Sequence, residues 1–159
     1  MRQKKIVLNT RFEDHNYNDL FAIHSPSEDF FLAFQLNKTL GTRFINVTER
    51  IKPQAEIPFF SRFICELSPV EVKWELIANH FTTISKTSEE NQLFNTLIEE
   101  QICLIPSLSK VDYFLKIQSD FDNPGTKMLI NEINDIKQII SAYQVAPETL
   151  KSKDNLIFD

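Results

Sequence analysis

Glycine is nearly missing from this chain: Gly41 and Gly125 are the only two in 159 residues. A dinucleotide-binding fingerprint needs three glycines, and a P-loop needs two within a few positions. In both, backbone must approach phosphate where a Cβ would clash. Neither can be built here, and the same shortage removes a G-x-S-x-G nucleophile elbow. Cysteine is equally sparse. Cys65 and Cys103 form no C-x-x-C pair and are too few for a disulfide framework. Both lie in apolar, strand-like runs, which fits buried reduced thiols; a redox or nucleophilic thiol is the alternative.

Histidine is scarce too. His15, His24 and His80 include no pair at metal-ligand spacing, and no H-E-x-x-H occurs. His15 falls in a polar turn, His24 at a strand end beside a helix N-terminus, and His80 within a strand, so structural roles are expected. Asp120-Phe121-Asp122-Asn123 gathers acceptors in one loop. An EF-hand reading fails, because Pro124 takes the third ligand position and Asn131 the place of the bidentate glutamate. Helix capping is the expected role of that loop. No metal and no cofactor are expected.

Positive charge is in deficit, with a net charge of −5 and a pI near 5.2. Nucleic-acid binders draw their non-specific affinity from clustered Lys and Arg. The basic residues here are scattered, with small groups at Arg2, Lys4, Lys5 and at Lys151, Lys153, so a nucleic-acid partner is not expected. No run approaches the ~20 apolar residues of a membrane span. The N-terminal MRQKKIVLNT has no long apolar core of a signal peptide, so a cytoplasmic protein is expected.

What is abundant is core-forming material: 42% apolar residues, including 14 phenylalanines. With no repeat or Gly/Ser linker, the reading is one domain over 1–159 with a short C-terminal tail from about 147. Strands are predicted at Ile6–Asn9 and Leu20–His24. Ser25-Pro26-Ser27-Glu28 then reads as a helix start, with Ser25 capping, Pro26 at the first position and Glu28 completing a capping box. Phe30, Ala33, Leu36, Asn37 and Leu40 recur at helical spacing, Phe31 and Phe34 widen the arc, and Gly41 ends the helix.

The middle reads as strands at Phe44–Ile51, Phe59–Leu67 and Val72–Ile84, the last two joined by a hairpin at Ser68–Glu71. Pro53 ends the first of them. Residues 87 to 99 read as a loop or short helix with Leu93, Phe94, Leu97 and Ile98 on one face, strand resuming near Gln101. Val111, Tyr113, Leu115 and Ile117 alternate with polar neighbours and Phe114, giving another strand. Asn123-Pro124 opens a second helix with a stripe at Leu129, Ile133, Ile136 and Ile140, and Ala142–Val145 returns as strand. The resulting class is α+β: a mostly antiparallel sheet with two main helices packed on it and a C-terminal β-α-β unit.

Ile105-Pro106-Ser107-Leu108-Ser109-Lys110-Val111-Asp112-Tyr113 resembles the small bacterial family named for its I-P-E-x-x-x-V-D-Y motif. The resemblance continues through Ile23-His24-Ser25, Ala33, Leu36-Asn37-Lys38, Phe114–Ile117 and the tail Leu150–Phe158. It departs at Ser107, where the motif has Glu, and it implies a shared scaffold without an activity. The β-α-β end, Val111 to Val145, is similar to the closing half of ferredoxin-like regulatory domains of the ACT or AsnC-effector kind. Such modules bind metabolites or pair their sheets across a dimer, which is analogy of pattern alone.

Asp112 stands out as a charge in an otherwise apolar strand. A buried carboxylate needs a partner, and Lys151 or Lys153 is the expected one. Asp112, Tyr113, Lys151 and Lys153 are therefore the candidate binding residues; a structural salt bridge or an edge charge against aggregation is the plainer role. No catalytic residue is identified. The expected function is a non-enzymatic protein-interaction or small-ligand-binding module. Its partner would be a second copy, a cytosolic protein or a small metabolite. The alternative is an enzyme of unfamiliar design, in which the fold assembles carboxylates and a histidine.

Overall fold

The computed structural model describes residues 17–47, 60–69, 71–87, 96–119 and 125–156. The readings at Ile6–Asn9, His15, Pro53, Leu93-Phe94, Asp120–Pro124 and Ile157-Phe158 lie outside the described residues.

Strand β1 (Tyr17–His24) leads into helix α1 (Asp29–Leu40), then β2 (Ile45–Asn46), β3 (Arg62–Leu67), β4 (Val72–Ala78), β5 (His80–Thr87) and β6 (Thr96–Cys103). After a 3-10 turn at Pro106–Leu108 come β7 (Tyr113–Ser119), α2 (Thr126–Asn134) and β8 (Ser141–Val145), followed by 3-10 turns at Pro147–Thr149 and Lys153–Leu156. Six strands form one sheet in the order β2-β3-β4-β7-β1-β8, and β5 and β6 form a separate hairpin. Every pairing among the described residues is antiparallel. Both β7 and β8 run antiparallel to β1, so they are parallel to each other with β1 between them, a split β-α-β unit. The fold is α+β, as the residue pattern predicts.

Both faces of the sheet are covered. On the first, Phe21, Ile23, Phe63, Trp74, Leu76, Leu115 and Ile117 pack against Leu32, Ala33 and Leu36 of α1 and Leu129 and Ile133 of α2. On the second, Leu20, Ala22, Ile77 and Phe114 meet Leu104, Ile105 and Val111 from the 3-10 segment and Leu150 and Leu156 from the tail. Each such large side chain contributes roughly 2 kcal/mol when fully buried. The tail from 147 thus completes the second core.

Two-sided burial corrects several local readings. The run Val72–Ile84 is two strands, because Asn79 turns the chain out of the main sheet. Strand β6 starts at Thr96, with Leu97 and Ile98 exposed on it rather than on a helix face. Helix α1 starts at Asp29 with Glu28 at the N-cap and no side-chain cap bond, so Ser25 is not its cap. The helix is also rotated from its expected face: Phe30, Phe31 and Phe34 point outward and Leu32 inward. Branched and small side chains at 32, 33 and 36 fit the space against the sheet and α2, and that space, not total apolarity, selects the face. Gly41 does end α1, at φ 66° in the left-handed region where other residues are strained. Helix α2 ends at Asn134, and the chain beyond it buries Ile139 instead of Ile140.

Candidate functional site

Asn79 is fully buried where β4 gives way to β5. Its main-chain N–H donates to the Asp112 carbonyl (2.9 Å), and its carbonyl accepts from Leu104 N–H (2.8 Å). The side-chain amide donates to the carbonyls of Leu108 (2.9 Å) and Val111 (2.8 Å), while Oδ1 accepts from Ile105 N–H (2.9 Å). Segment Ile105–Val111 therefore wraps around one carboxamide. Its own bonds, Leu108 N–H to Ile105 O and Val111 N–H to Leu108 O, close the turn at 3.0 Å each. Ser107, at the position of the motif's glutamate, is exposed on this turn.

The next two residues hold the loop before α1. Asp112 donates its N–H to Ile23 O (3.1 Å) and accepts from Ser25 N–H through Oδ2 (2.9 Å). Tyr113 donates its hydroxyl to Ser27 O (2.6 Å). Ser25, itself buried, donates to Gln138 O (2.8 Å) and accepts from Ser27 N–H (3.3 Å). Burial, then the charges of Asp29, Asp112 and Glu28, push the Tyr113 hydroxyl up to about 12. Loop Ser25–Ser27, Ala78, His80, Asp112 and Tyr113 line an open depression of about 220 Å³.

Two of the four predicted binding residues, Asp112 and Tyr113, thus share a site. Lys151 and Lys153 do not join them. Both are exposed, and among the described residues neither forms an ion pair with Asp112. The tail that carries them crosses the second face of the sheet, held by Asn155 to Leu104 O (2.8 Å) and by Lys116 to Leu156 O (3.1 Å). A main-chain N–H supplies the partner that Asp112 requires. Sequence reasoning missed Asn79, because a run read as one strand from Val72 to Ile84 hides the break between two; His80, read as lying within a strand, is the first residue of β5.

His80 and Cys103 face each other at the base of the hairpin, with Nδ1 and Sγ 3.4 Å apart. Both cysteines are free; Cys65 is buried and accepts from Arg43 N–H (3.2 Å). Elsewhere Glu75, 2% exposed, binds Lys73 (2.7 Å) and Arg62 (3.3 Å). Burial alone would raise its carboxyl, but the Lys73 ammonium, then Arg62 and Lys116, hold it below its ordinary value. Among the described residues no group of three or more His, Cys, Asp or Glu side chains is placed to hold a metal, and no helix is long and apolar enough to cross a membrane.

The outer face of α1 is the other notable surface. Phe30 is 61% exposed, Phe34 57% and Phe31 38%, with the Phe31 and Phe34 rings stacked 6.4 Å apart. No family model, curated protein or solved structure matches this chain.

Proposed function

We propose that this protein is a non-enzymatic protein-interaction module of the cytoplasm that docks a partner on the outer face of α1. The observation that carries this reading is the exposure of Phe30, Phe31 and Phe34 on consecutive turns of one helix. Contiguous exposed aromatic surface costs solubility, and aromatic anchors dominate protein–protein interfaces. The residue groups that resemble the I-P-E-x-x-x-V-D-Y family fit this reading as scaffold, since Ile105 and Val111 are tied to Asn79 in the second core while Asp112 and Tyr113 lock the loop that launches α1. The test is affinity purification of the tagged full chain from its own cells against a variant with Phe30→Ser and Phe34→Ser. Loss of a reproducible partner is the expected result; an unchanged partner set rejects the reading.

A second reading, a small-ligand or catalytic site, has one observation in its favour: His80 and Asp112 line the same depression. Against it, Asp112 Oδ2 is held by Ser25 N–H and the hollow is open. Histidine NMR shifts that respond to small metabolites in the parent and not in a His80→Gln variant would establish it.

A further inference from the structure

We infer that two copies of this chain associate by pairing with itself the edge of β5 that no described strand covers, joining two hairpins into one four-stranded sheet. An exposed strand edge is a template for another strand unless something guards it. The main sheet is guarded. On its β8 edge, Asn134 donates to Ala142 O (2.9 Å) and accepts from Ala142 N–H (2.8 Å), taking both main-chain groups that Ala142 would offer a neighbouring strand. At the other end β2 spans only Ile45–Asn46. The hairpin is different: among the described residues, neither β5 nor β6 pairs with a further strand.

The two hairpin edges are not equivalent. A two-fold pairing through the middle of β6 sets Glu99 against Glu99, or Glu100 against Glu100, and like charges directly opposite are unfavourable. The centre of β5 reads Thr82-Thr83-Ile84-Ser85, uncharged and rich in β-branched residues. A two-fold axis at Ile84 puts Ile84 opposite Ile84 of the second copy. Ile84 (65% exposed) and Leu97 (61%) occupy diagonal positions on one face of the hairpin, since Ile84 pairs Glu99 and Lys86 pairs Leu97. Self-pairing makes a continuous diagonal of Leu97, Ile84, Ile84 and Leu97 across the joined sheet. That apolar line is self-complementary, as an isologous contact requires.

The interface is small and the association correspondingly weak. Sedimentation of the full chain from about 10 µM to about 1 mM covers the range expected of such a contact. The expected result is a concentration-dependent dimer whose dissociation constant rises roughly tenfold in Ile84→Lys, where like charges oppose. Tyr143→Lys on the β8 edge and Phe34→Ser on α1 leave it unchanged. A chain monomeric throughout, or a dimer that Ile84→Lys leaves intact, overturns the inference. A dimer broken by Phe34→Ser overturns it too, and assigns self-association to the helix face instead. Ile84 lies outside the core, and far-UV circular dichroism of each variant establishes that the fold is retained.

Discussion

The Asn79 side-chain nitrogen lies 2.8 Å from the Val111 carbonyl, and through it the first residue beyond β4 organises the segment that precedes β7. The same carboxamide also binds Ile105 and Leu108, so a single side chain shapes the lid over the second core. Substituting Asn79→Ala leaves the Val111 carbonyl and the Ile105 N–H without their side-chain partner, and the Leu108 carbonyl with the Val111 N–H alone. The expected cost is about 4 kcal/mol by denaturant titration, near the upper limit for one residue. Asn79→Asp is expected to be comparably harmful, because a carboxylate cannot donate to two carbonyls.

Asp112 is expected to matter through Ser25 and not through the tail lysines. Its carboxylate accepts a main-chain hydrogen bond, and Asp112→Ala removes that charge-assisted bond for a loss of about 2 kcal/mol. Lys151→Ala and Lys153→Ala touch exposed residues and are expected to stay within about 0.5 kcal/mol of the parent. Equal effects from Asp112 and either lysine would contradict this placement.

Alkaline pH is expected to weaken the fold through Tyr113. Its hydroxyl titrates near 10 when unfolded and about 12 when folded, so the unfolded chain loses the proton first. The contribution is intact below pH 10 and disappears as pH rises toward 12, a loss of up to about 2 kcal/mol. Tyr113→Phe forfeits the bond to Ser27, about 1 kcal/mol at neutral pH, and should flatten that part of the alkaline decline. Unfolding midpoints of both proteins across this range measure it.

Acid acts through Glu75 with the opposite sign. Its folded carboxyl titrates below its ordinary value of 4.5, so its contribution is present above that pH and fades as pH falls through the folded value. Glu75→Gln removes the carboxylate that Lys73 and Arg62 bind and that faces Lys116, at an expected cost of about 2 kcal/mol. The variant should show a shallower loss of stability below pH 4.5 than the parent, read from pH-dependent urea midpoints.

Removing the guard on β8 is expected to expose a new sticky edge. Asn134→Ala frees the Ala142 N–H and carbonyl, with a stability loss of about 1 kcal/mol. Light scattering should show stronger self-association than in the parent, and Tyr143→Lys added to Asn134→Ala should reverse it.

Local pattern reached the elements whose signals are local. Alternation located β7, helical spacing located α1 and α2, and Gly41 marked the end of α1, because side-chain period and backbone conformational freedom act over a few residues. The motif around Val111-Asp112-Tyr113 was legible as a unit, but its partners were not. Ser25 is 87 positions from Asp112 and Asn79 is 32 from Val111, separations that no periodicity encodes.

The sequence by itself determined the α+β class, the lack of glycine-built phosphate loops and the candidacy of Asp112 and Tyr113. Tertiary structure alone decided that Phe30, Phe31 and Phe34 face solvent, that Asn79 splits one apparent strand in two, and that Asp112 binds a main-chain N–H instead of a lysine. The reason is physical: composition and period state how much apolar surface must be hidden, whereas shape complementarity between distant elements chooses which surface that is.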